Sequence, residues 1–139
     1  MNRDRRFELL ARAGKEELCK LAEKVLEDVD IKVVKKPTPG MIMMRCRDNA
    51  HSCVFNFGEV LVTDAEVSIE NSTGYAMVMG MEPERALAGA ILDCAVEAGH
   101  ALTSEILFML QAEEQRLQEE KVRTWKEIET TKVDFEVML

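Results

Sequence analysis

Residues Phe55–Gly80, FNFGEVLVTDAEVSIENSTGYAMVMG, decide the fold. Leu61, Thr63, Ala65, Val67 and Ile69 alternate with Val60, Val62, Asp64, Glu66 and Ser68, the period of two that marks a strand with two distinct faces. The second face turns polar only from Asp64, so the start of this strand is expected to be covered on both sides. ENSTG supplies the polar residues of a turn, and YAMVM reads as a returning strand. The short connection makes the two strands antiparallel neighbours. Gly58, Gly74 and Gly80 stand singly, as bulge or turn residues do, and form no phosphate-cradling loop.

Upstream, CVFNF is a strand that meets Gly58, DNAHS is a turn, and Met41–Arg47 (MIMMRCR) is the strand before it. A further short strand is expected at Ile31–Lys35, closed off by a Pro-Thr-Pro-Gly loop because proline donates nothing to a ladder. The sheet then has about four strands. Before it, residues 4–28 step by three and four through Phe7, Leu10, Leu18, Leu21, Ala22 and Val25, predicting a helix broken near Gly14. After Gly80, Pro83 suits the first position of a helix. Ala86, Leu87, Ala90, Ile91, Cys94, Ala95 and Ala98 make one face of small residues able to lie close on the sheet, and Gly99 ends the helix. A second long helix starts near Thr103, with a docked stripe through Ile106, Leu107, Leu110, Leu117, Trp125 and Ile128. Glu113, Glu114, Glu119 and Glu120 read as its solvated face. The last residues alternate Val133, Phe135, Val137 and Leu139 with Lys132, Asp134 and Glu136, an apolar pattern that calls for a sheet edge to pair with. The result is a single α+β domain over 1–139: an antiparallel sheet packed against an N-terminal helical region and two long C-terminal helices.

The 139 residues carry a net charge of −8, which leaves no basic surplus for nucleic-acid phosphates or an acidic membrane surface. No stretch approaches the roughly 20 apolar residues of a membrane span, and MNRDRRFELLARAG lacks the apolar run of a signal peptide, so a cytoplasmic protein is expected. Aromatics are only 5% while Met numbers 9, a composition that gives adaptable cores and contact surfaces.

Chemistry-bearing residues are sparse. Cys19, Cys46, Cys53 and Cys94 match no closed metal-ligand spacing with His51 or His100 and read as free thiols. His51 and Cys53 read as a turn histidine beside a packed thiol rather than as a nucleophile pair. Asp64 and Glu59 lie on the long strand without a partner placed to orient a base. Asp93, in AILDCA, is either a partly buried acid or a side chain turned to solvent one step round the helix, and the second reading is favoured. Arg45 and Arg47 suit a bidentate grip on a small anion, though strand-end surface positions explain them more simply. No catalytic, cofactor-binding or metal-binding residue is assigned. The alternative to an assembly subunit is a homo-oligomeric binder of small anions.

Four blocks together carry a family resemblance: FNFGEVLVTDAEV, GYAMVMG, the acidic-Pro helix start leading to RALAGAILDCAVEAG, and TKVDFEVM. With Arg47 eleven residues before Gly58, their order and spacing resemble the G subunit of the carbon–phosphorus lyase core complex, the PhnG family. Asp64 and Arg85 depart from that pattern, standing where members often carry a basic residue and a histidine. The resemblance implies a non-autonomous subunit of alkylphosphonate degradation, acting with subunits I, H and L to transfer a phosphonate to the ribose C1 of ATP with loss of adenine. It implies that the iron–sulfur cluster and S-adenosylmethionine chemistry reside on subunit J, and that no cofactor sits on this chain. Arg47, Gly58, Glu59, Tyr75, Gly80, Asp93, Val133, Asp134, Phe135 and Met138 are the candidate interface or structural positions under this resemblance. Alone, such a subunit is expected to self-associate through its tail or a strand edge.

Overall fold

The computed structural model describes residues 1–132. Its elements run α1 (Arg3–Arg12), α2 (Lys15–Asp28), β1 (Lys32–Arg47), β2 (Val54–Ile69), β3 (Ser72–Met79), α3 (Pro83–Glu97) and α4 (Thr103–Glu129). The strands form one antiparallel sheet of order β1-β2-β3. The α+β class holds, with three strands among the described residues rather than about four.

The missing boundary is the Pro-Thr-Pro-Gly segment, which stays in β1 instead of breaking it. β1 is an edge strand, so a proline can point its donor-less nitrogen away from the ladder. Register shifts between Val33 and Lys35 and between Lys35 and Thr38 absorb the misfit, and Pro39 still sits opposite Thr63. Gly58 likewise marks a third shift within a continuous β2, at the step from Met44 to Arg45 on β1.

The helices follow the sequence closely. Asn2 caps α1 by accepting from the Arg5 N–H, and Gly14 separates α1 from α2. Pro83 opens α3. Gly99, at φ +71°, closes it: its N–H donates to Val96 and that of His100 to Ala95, the paired bonds of a Schellman end.

α3 is the centre of the molecule. Ala86, Ala88, Gly89, Ala90, Ile91, Leu92, Cys94 and Ala95 are all buried, so the helix is covered on all sides rather than along one face. The sheet lies on one side, and Leu9, Leu10, Leu18 and Val25 of α1 and α2 join the same core. Small residues make the contact with the sheet possible. At Gly74 a Cβ would stand 2.2 Å from the Ala90 carbonyl oxygen and 2.4 Å from the Cys94 nitrogen. α4 docks only by its first half, through Ile106 and Leu110. Beyond Leu117 it projects, and Trp125 (62% exposed) and Ile128 (53%) do not dock as the stripe suggested, because the helix outruns the core beneath it. No described helix is long and apolar enough to cross a membrane.

The Gly74 contact is with backbone atoms, which cannot turn aside. Gly74→Ala is expected to lower stability by about 1–3 kcal/mol, as overpacking does; urea denaturation followed by circular dichroism measures it.

Candidate partner interface

Within the body, the polar side chains hold elements together. The Asp93 carboxylate is fully buried. Oδ1 accepts from Arg6 Nε at 2.8 Å, and Oδ2 accepts from Arg3 at 2.9 Å and from the Tyr75 backbone N–H at 3.1 Å. Arg6 also donates to Glu97, holding that carboxyl below the usual carboxylate range. Asp93 therefore does not face solvent. The two arginines of α1 reach over the small-residue helix and replace water around it. The signal was present in the sequence as RDRR ahead of an aspartate set among the small residues of an alanine-rich helix.

Tyr75 continues the network. Its hydroxyl donates to Asp64 Oδ2 at 3.1 Å, and Lys35 donates to both oxygens of Asp64 at 2.9 and 2.7 Å. Its ring meets Phe7 edge-on, with centroids 6.3 Å apart. Burial, then the bond to Asp64, pushes the Tyr75 phenol up to about 12. Asp64 and Arg85 both have internal roles: Asp64 joins β1 to β3, and Arg85 donates to the carbonyls of Ala11 and Ala13 where α1 ends. Gly80, at φ +84°, accepts from the buried Thr63 hydroxyl, whose oxygen accepts the Glu82 N–H; this fastens the β3–α3 connection. Glu113 is a correction to the solvated acids of α4: it is 7% exposed and paired with Arg116, and Glu114 accepts from Arg5 of α1.

The other half of the sheet is different. β2 is buried or half-buried from Val62 onward, where β3 and α3 cover it, but Val54–Val60 extends past them with, among the described residues, only β1 alongside. This distal arm is apolar. Met41, Ile42 and Met43 are 56%, 41% and 51% exposed, and Phe57 is 70% exposed. Successive residues of a strand point to opposite faces, so three consecutive exposed apolar residues leave both faces of the arm uncovered. The strand start expected to be covered on both sides is so at Val62 and Thr63, which are buried on opposite faces, and the cover ends before them at Leu61. At the tip, Asp48 caps the turn by accepting the Ala50 N–H, and Arg45, Arg47, His51 and Cys53 are all exposed. Cys46 lies opposite Phe55. Glu59 is exposed on the arm opposite Met43. Among the described residues, no three or more His, Cys, Asp or Glu side chains gather as metal ligands would.

The sequence positions thus divide in two. Tyr75, Gly80 and Asp93 belong to the internal framework, whereas Arg47, Gly58 and Glu59 lie on the arm. Val133, Asp134, Phe135 and Met138 lie outside the described residues. What sequence reading missed was the extent of the arm, since an apolar strand reads alike whether its cover is internal or comes from elsewhere.

Comparison with known proteins agrees with the resemblance. The family model described as "Phosphonate metabolism protein PhnG" matches residues 1–139. A protein of Rhizobium meliloti (strain 1021), "Alpha-D-ribose 1-methylphosphonate 5-triphosphate synthase subunit PhnG", is 31% identical over 133 residues, covering 94% of this chain and 84% of the relative. The chain belongs to the PhnG family.

Asp93→Ala would leave the buried Arg6 guanidinium with Glu97 alone and the Tyr75 amide without its acceptor. A loss of about 3–5 kcal/mol is expected, as for other broken buried ion pairs, read from urea unfolding. Tyr75 is the chain's single tyrosine, so its ionisation can be followed at the tyrosinate absorption band. The native midpoint is expected near 12, against about 10 in the unfolded chain. The folded state favours the protonated phenol, so this contribution is fully present below pH ~10 and is lost as pH rises through the folded value.

Proposed function

We propose that this PhnG-family chain is a non-autonomous subunit of the carbon–phosphorus lyase system. In this reading it supports transfer of a phosphonate to the ribose C1 of ATP with displacement of adenine, and it brings no catalytic residue or cofactor of its own. ATP and the iron–sulfur and S-adenosylmethionine chemistry belong to the wider cytoplasmic system, whose subunits I, H, J and L are the proposed partners. Family membership and the relative's printed role as a synthase subunit support the reading.

The arm is the observation that carries it. A two-stranded ribbon with both faces apolar is poorly stabilised in water by itself. Permanent subunit contacts are more apolar than transient ones, and methionine side chains adapt to the surface they meet. The arm therefore supplies a docking surface for a large neighbouring subunit, proposed to be subunit I. The tail Val133–Met138 is assigned to the same task.

Co-expression with subunit I, then size-exclusion chromatography with mass determination, tests this. A stable heteromer is expected. Met41→Asp with Met43→Asp should weaken association at least tenfold, since truncating a buried interface anchor costs about 2 kcal/mol or more. The thermal midpoint of the chain alone should hold, because both residues are exposed in it. Deletion after Lys132 should likewise abolish co-purification. A well-folded chain that fails to associate would favour the small-anion reading. Phosphonate would then raise its melting temperature, and Arg45→Ala with Arg47→Ala would remove that rise.

A further inference from the structure

The arm has an edge as well as two faces, and its two edges are not alike. The outer edge, Met41–Arg47 on β1, carries the cations Arg45 and Arg47. Prolines, bulges and cations are the usual devices that stop an edge from pairing with another chain. The inner edge, Val54–Val60 on β2, has no proline or cation, and its one irregularity is the bulge at Phe57 and Gly58. On that side β3 ends opposite Val62, and the Gly80 N–H takes the Leu61 carbonyl. Among the described residues, nothing pairs with Val54–Val60 there. These seven residues, VFNFGEV, include one charge, Glu59. Phe57 is skipped by the β1 ladder as well, because Gly58 and Asn56 take the neighbouring partners, and it stands 70% exposed.

We infer that the inner edge of β2 pairs antiparallel with the same edge of a second copy of this chain, about a two-fold axis between Phe57 and Gly58. The segment is complementary to itself in that arrangement. Phe55 falls opposite Val60, Asn56 opposite Glu59, and Phe57 opposite Gly58. Apolar residues meet apolar ones, the carboxylate meets an amide rather than another carboxylate, and a bulky aromatic covers a glycine. A two-fold axis places each contact twice, so one favourable register counts double. The pairing joins β1-β2 of each copy into a four-stranded antiparallel ribbon. Each protected edge then lies outermost, and the apolar faces remain available to other subunits. The contact uses an edge that the docking proposal does not need, so the two can fail separately.

The full-length chain, purified without other subunits, tests the inference by size-exclusion chromatography with mass determination. A dimer is expected. Phe57→Lys places a cation beside the axis and should weaken dimerisation tenfold or more, with the circular dichroism spectrum unchanged. Differently tagged copies carrying Asn56→Cys and Glu59→Cys, both with Cys46→Ser and Cys53→Ser, should form a mixed disulfide when oxidised glutathione is supplied. This readout does not depend on how the lysine variant folds. A monomeric wild type, a dimer indifferent to Phe57→Lys, or a dimer without the 56–59 cross-link each overturns the inference.

Discussion

The Asp93 carboxylate is the point on which the body is organised. Without water around it, it must be neutralised by neighbours, and those neighbours come from two other elements: Arg3 and Arg6 on α1 and the Tyr75 amide on β3. One buried charge thereby sets the position of α1 against α3 and of α3 against the sheet. The order propagates outward on both sides. Arg5 of α1 reaches Glu114 of α4, while the Tyr75 hydroxyl meets Asp64, which holds Lys35 of β1. A buried ion pair of this kind contributes little net stability compared with an apolar substitute, but it is intolerant of losing one partner. Its effect is to make one arrangement of helices and strands far better than its neighbours.

Around that point the packing leaves little slack. α3 is built of alanine, glycine and cysteine where it meets β3, and the backbones approach so closely that Gly74 has no room for a methyl group. The arm is the opposite case. β2 passes from buried to exposed at Val62 within a single strand, and the exposed part is no less apolar than the buried part. A strand that stays apolar after its cover ends has been composed for a cover that the described residues do not supply.

Most of the fold was legible because periodicity and end signals agreed. Pro83, Gly99 and Gly14 mark helix limits by backbone chemistry that tertiary context seldom overrides. The prolines of β1 misled, since proline's penalty applies to central strands and the sequence does not say which strand lies at an edge. Asp93 and Glu113 were read as solvated because a side chain's burial depends on partners far away in the chain, Arg3 and Arg6 for the first. The arm's residues were visible, but their exposure was not. Hydrophobic alternation reports that a surface is to be covered and is silent on whose surface does it.

One consequence concerns light rather than energy. The chain's one tryptophan, Trp125, lies on the projecting half of α4, well away from the buried core around α3. The indole is in water whether or not the core is intact. Intrinsic tryptophan emission is therefore a dim reporter of unfolding in this protein, and a sensitive one for any contact that shields the far end of α4.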